Sequence, residues 1–154
     1  MIMPVFMLAL AACAVSRPFA GPGYDRERGV IAPDTGAMVV VALTNATLDG
    51  ARRHTFDDHT RRVVDSLSSQ PGFIGSSLRT RIFGNEVWTM TAWTSEEALD
   101  NFVASGVHQT AIENGMAPVR TARFARIKVA RTALPLSWDR ALEILETQGT
   151  GYAY

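Results

Sequence analysis

One cysteine, Cys13, is all that 154 residues carry, which excludes an internal disulfide framework and any CxxC redox or metal site. Net charge is lacking too: fifteen basic and fifteen acidic residues cancel. That balance argues against a broad electrostatic footprint for nucleic acid, and none is expected as a partner. No HExxH, no clustered metal-ligand set and no phosphate-loop glycine pattern occurs, so a metal site is not expected either. Ser66, Ser68, Ser69, Ser76 and Ser77 stand in no G-x-S-x-G elbow, and no triad spacing accompanies them. The longest apolar stretch falls short of the roughly 20 residues that a spanning helix requires.

That stretch, MIMPVFMLALAAC, opens the chain. Its last four residues, Leu10-Ala11-Ala12-Cys13, resemble the lipobox of bacterial lipoproteins. The resemblance implies a signal over residues 1–12, lipid on Cys13 and a membrane anchor on the periplasmic side. No basic residue precedes the apolar run, which departs from the usual signal pattern. The alternative is an apolar N-terminus or an added strand, and with it a cytoplasmic protein. Residues 13–36 are rich in Pro, Gly and charge, lack periodicity, and read as a tether.

From residue 37 the patterning sharpens. Met38 to Leu48 begins as a β-branched run suited to a buried strand. The segment 51–67 places Phe56, Thr60, Val63, Val64 and Leu67 at helical spacing. Asp57 before Arg61 and Asp58 before Arg62 support its exposed face. Pro71-Gly72 stops that helix. Phe73 to Trp93 reads as a hairpin turning at Gly84-Asn85, with Ile74, Ser76, Leu78, Thr80 and Ile82 on one face. Ser77, Arg79, Arg81 and Phe83 take the other face. Ser95 caps a second helix whose buried stripe is Ala98, Leu99, Phe102 and Val103. Gly106 interrupts it, with a further turn or two from His108. Thr121 to Arg131 is a fourth strand, Ser137 caps a last helix, and GTGYAY is a loose tail. The order is βαββαβ, an α+β ferredoxin-like arrangement, with an extra C-terminal helix in 132–154.

The 37–131 domain resembles the antibiotic-biosynthesis-monooxygenase type of dimeric α+β barrel. Pro71-Gly72-Phe73, Trp93-Thr94-Ser95, Phe102 and the helix-end His108 carry the likeness. The resemblance implies a homodimer formed by two sheets, with a pocket between each sheet and its own helices. It also implies oxidation of phenolic substrates without metal or flavin in some members, and haem binding or degradation in others. Haem-degrading relatives use an asparagine, a tryptophan and a histidine. Asn45 meets the first requirement, whereas Phe102 and Ile112 stand where the other two belong, so no cofactor is expected and haem is disfavoured.

Two functions follow. One is a cofactor-independent monooxygenase acting on a small aromatic or quinol-like molecule, with His108 or His59 accepting its proton and Asn45 and Trp88 positioning it. The other is a non-catalytic accessory protein tethered at the envelope, holding haem or another planar ligand, or docking on an envelope protein. Either histidine also has a bland role, His108 finishing a helix and His59 sitting at a half-buried boundary; His54 is solvated. Alternation puts Trp88 and Trp93 on opposite faces. Arg79 and Arg81 would hold an anionic group if their face lined a cleft, and are solvated otherwise.

Overall fold

The computed structural model describes residues 13–33 and 35–153; the lipoprotein signal expected in 1–12 lies outside them. Strands β1 (Ala14–Ser16), β2 (Tyr24–Asp25) and β3 (Gly29–Val30) precede the long β4 (Met38–Leu48) and α1 (Arg53–Leu67). Then come β5 (Phe73–Arg81), β6 (Glu86–Trp93), α2 (Glu96–Val103), α3 (Gly106–Gly115) and β7 (Val119–Ala130). Helix α4 (Trp138–Gln148) and β8 (Thr150–Ala153) close the chain. The main sheet runs β1-β5-β6-β4-β7-β8, antiparallel throughout. Its four central strands and the helices α1 and α2–α3 are the expected ferredoxin-like βαββαβ.

Alternation along β4 divides the core. Val40 packs with Phe73, Trp93, Leu99 and Phe102 under α1 and α2. Val39, Val41 and Leu43 point the other way, against Ala141, Ile144 and Leu145 of α4. Each of those α4 residues is almost wholly buried, and burying an isoleucine or leucine contributes about 1.5–3 kcal/mol. The sheet is therefore covered on both faces by its own chain. Ser95 and Ser137 cap α2 and α4 as expected, accepting from Ala98 N–H and Arg140 N–H.

Several expectations are corrected. The tether of 13–36 is a packed arm: β1 pairs with β5, Phe19 and Val30 are buried in the α4-side core, and Arg131 donates to the Val30 and Thr35 carbonyls. The tail forms β8 on the free edge of β7. The hairpin turn is four residues long, Ile82 to Asn85. A bulge at Phe73/Gly75 flips the parity of β5, so Ile74 joins the α4-side core while Ser76 and Leu78 line the opposite face. On α1 the ion pairs are Arg53–Asp57, partly buried, and Asp58–Arg61, exposed to solvent and of small energetic weight. The sheet face opposite α1–α3 carries α4 and the arm.

Gly72 sets the start of β5. Its φ is +77°, and a Cβ there would stand 2.5 Å from Ala98 Cβ and 2.6 Å from Thr94 Oγ1. Gly72→Ala is expected to lose roughly 1–3 kcal/mol, read as a shifted denaturant midpoint at constant slope.

Candidate functional site

The β4 and β6 residues that face α1–α3 shrink toward the middle of the sheet. Ala42 and Thr44 on β4, Ser76 on β5, and Thr89 and Thr91 on β6 form a low floor. Phe56, His59 and Val63 of α1, Phe102 of α2, and His108 and Ile112 of α3 stand over it. Between them lies a cavity of about 560 Å³, within the range of small-molecule sites. Its walls are mainly apolar. The polar groups are floor hydroxyls, Thr60, Thr150, two imidazoles and the Arg126 guanidinium, which is paired with Asp100 at 2.7 Å.

A run of aromatic rings leads to one of those imidazoles. Phe73 meets Trp93 edge-on at 5.3 Å, Trp93 stacks on Phe102 at 4.9 Å, and Phe102 meets His108 edge-on at 5.0 Å. Trp93 is fully buried, and its indole N–H donates to Thr91 Oγ1 at 3.0 Å. The floor hydroxyl and the stack are thus fixed by one residue. His108 does not finish a helix. Ser105 caps α3 and accepts from the His108 N–H, so the imidazole stands in the first turn, where the positive end of the helix disfavours an added proton. Burial pushes its pKa below histidine's ordinary 6.5, against an upward pull from the Val103 carbonyl. Its Nδ1 is closed off from solvent. The group is therefore a neutral base in a mostly apolar chamber.

His59 lines the same cavity from α1 and packs against Gly115, where a Cβ would approach its own Cβ to 3.0 Å. His54 is exposed as expected.

The remaining candidates are elsewhere. Asn45, Trp88, Arg79 and Arg81 sit on the opposite face of the sheet, because residues of one strand alternate and the cross-strand pairs Asn45–Trp88 and Arg79–Trp88 share that side. The positioning role expected of Asn45 and Trp88 is thereby corrected. With its amide oxygen toward the indole, Asn45 accepts from Trp88 Nε1–H at 2.9 Å. Arg81 lies 5.9 Å from the Trp88 ring centroid and pairs with Glu86 at 2.9 Å. Arg79 reaches Ser16 of the arm at 3.5 Å. These contacts brace the sheet's second face. Among the described residues no group of three or more His, Cys, Asp or Glu side chains could hold a metal ion.

Sequence reasoning missed the floor. Thr44, Ser76, Thr89 and Thr91 carry a signal in hindsight: small hydroxyl residues recurring at period two on the face that pairs of helices must cover.

The family model for antibiotic biosynthesis monooxygenase matches residues 38–114, half of the chain. Among solved structures, SnoaB, a cofactor-independent oxygenase from Streptomyces nogalater, is 24% identical with a TM-score of 0.52, over 65% of this chain and 99% of its own. Protein SO0527 from Shewanella oneidensis is 12% identical with a TM-score of 0.56, over 61% of this chain and 93% of its own. A candidate monooxygenase from Lactobacillus acidophilus NCFM is 19% identical with a TM-score of 0.53, over 63% of this chain. This chain spans 49% of that protein's length. At such identities the likeness carries the fold. No curated protein sequence matches the chain.

Proposed function

Because the chain belongs to the antibiotic biosynthesis monooxygenase family, we propose that it oxidises a small hydroxylated aromatic or quinol-like molecule with dioxygen and no bound cofactor. One observation carries this reading: the His108 imidazole, held neutral by burial, lines a mostly apolar cavity of aromatic size. A planar phenol fits between the floor hydroxyls and the Phe56 and Phe102 rings. The imidazole takes a proton from it, and the anion so formed is electron-rich enough to reduce dioxygen directly. The substrate supplies all four electrons: one oxygen atom replaces the hydrogen of a ring carbon as a new carbonyl, the phenol oxygen becomes the second carbonyl, and the other oxygen atom leaves as water with the ring hydrogen and the phenolic proton that the imidazole had taken. An apolar chamber favours the step by keeping water from the anion. The same covered sheet leads us to place a single copy of the chain as the working unit, since the pocket is built wholly from one chain's elements.

The test is oxygen uptake with a panel of fused-ring phenols, in the presence of a metal chelator and without flavin. Uptake matched one-to-one by product, with the label of ¹⁸O₂ in the new carbonyl, is expected. Uptake no faster than buffer across the panel would sink the reading. Hemin titration separates the planar-ligand alternative, because a saturable Soret shift lost in His108→Ala would make the imidazole a haem ligand.

A further inference from the structure

The hairpin loop between β5 and β6 ends in two exposed apolar side chains, Ile82 at 52% and Phe83 at 84% of full exposure. Val15 on the adjoining β1 is 57% exposed. The loop has a neighbour that the family domain does not supply. Ile82 N–H donates to the Cys13 carbonyl at 2.9 Å, so the chain leaves this end of the molecule at an exposed Cys13. Beyond it in sequence stand twelve residues of almost wholly apolar character. The charges at the same end are one-sided. The segments that meet there, 13–17, 48–53, 79–86 and 118–121, bring Arg17, Arg52, Arg53, Arg79, Arg81 and Arg120 against Asp49 and Glu86, with Asp57 paired to Arg53. Asp49 is shared by Arg52 and Arg120, Glu86 pairs with Arg81, and Arg17 and Arg79 have no carboxylate partner among the described residues. Arg53 Nη1–H is bound to the Gly84 carbonyl of the loop itself at 3.0 Å. A chain with no net charge overall thus gathers arginines at the end that carries Phe83, the most exposed aromatic side chain among the described residues.

We propose that this end is a membrane-surface seat, in which Ile82 and Phe83 enter the headgroup region of an anionic bilayer and the surrounding guanidinium groups meet lipid phosphates. An exposed aromatic tip ringed by cations matches that interface, which combines an apolar interior with negative headgroups. No helix among the described residues is long and apolar enough to span a bilayer, and the seat requires none. The cavity, lined by α1–α3 and the sheet, stays with the body of the domain.

The experiment uses the full chain with vesicles of phosphatidylglycerol and phosphatidylethanolamine, and with phosphatidylcholine vesicles for comparison. Ile82→Ser/Phe83→Ser is expected to lower the fraction floating with the anionic vesicles about tenfold or more, the scale of withdrawing two buried apolar side chains. Both positions lie in an exposed loop, and unchanged circular dichroism confirms the fold. In a Cys13→Ser background, an environment-sensitive dye on Phe83→Cys should shift to the blue on vesicles and be quenched by brominated lipid. The same dye on Glu97→Cys, at the start of α2 and the far end of the sheet, should not. Undiminished flotation of the double variant, or equal dye response at both positions, overturns the seat. So does a loop-dependent gain in mass by light scattering without lipid, which would make the tip a contact between proteins.

Discussion

His108→Ala should lower turnover of the aromatic substrate by about 10²–10⁴-fold, the range associated with a lost general base. Circular dichroism and substrate binding should stay near native. The pH profile is the sharper readout. Burial holds the imidazole below 6.5, so the base form persists into mildly acidic solution and kcat/KM should fall only as pH drops through a value under 6.5. In His108→Ala that limb should disappear, whereas His59→Ala should keep it. The same shift bears on stability. A folded-state pKa below the unfolded one means that the unfolded chain binds more protons in the window between the two values. Stability is then full above 6.5 and declines as pH falls from 6.5 to the lowered value. The fall in Tm across that window should therefore be smaller in His108→Ala. A native acidic limb at or above 6.5, or one retained without His108, would remove the imidazole from the chemistry.

The framework was legible because its signals are local. A β-branched run, a Pro-Gly stop and serine caps each act within a few residues, so β4, α1, β6, α2 and α4 were readable close to their ends. The arm was not, because its order comes from pairing with distant backbone. Arg17, Ala20 and Gly23 N–H groups donate to the Leu78, Ser76 and Ile74 carbonyls. Gly21 lets the two backbones touch, since a Cβ there would stand 2.3 Å from Gly75 Cα. Glycines and prolines that read as looseness are here what permits close contact. The bulge at Ile74 has a local marker in Gly75, a glycine inside the strand, which strict alternation passes over. His108 was found as a residue and misplaced on its helix, because Ser105-Gly106 starts a new helix rather than fraying an old one. The likeness points to Asn45 as a pocket residue and Trp88 stands beside it, but parity along β4 and β6 sets both on the face of Leu43 and Met90.

That second face is where the strongest structural effect is expected. Ile144 is 2% exposed and sits among Val39, Val41 and Leu43 under α4. Ile144→Asp would bury a carboxylate with no cation or donor assigned to it, and should lose about 3 kcal/mol or more through burial of an unpaired charge and loss of apolar contact. For a chain of this length that corresponds to a fall in Tm of roughly 6 °C or more. The native chain should run in light scattering with the mass of one copy at micromolar concentration, because α4 and the arm occupy the surface by which two sheets would join. Ile144→Asp should free that surface. Val39, Val41 and Leu43 then form a contiguous apolar patch, and such patches drive association. The variant is thus expected to be both less stable and heavier. Trp138 offers a gentler version: its Nε1–H donates to Ser77 Oγ at 3.1 Å, and that hydroxyl donates to the Arg17 carbonyl at 2.6 Å. One serine therefore ties the helix, the sheet and the arm, and Ser77→Ala should loosen all three together by about 1–3 kcal/mol. A native dimer that survives dilution, or an Ile144→Asp chain with native Tm, would show that α4 does not serve as the sheet's partner.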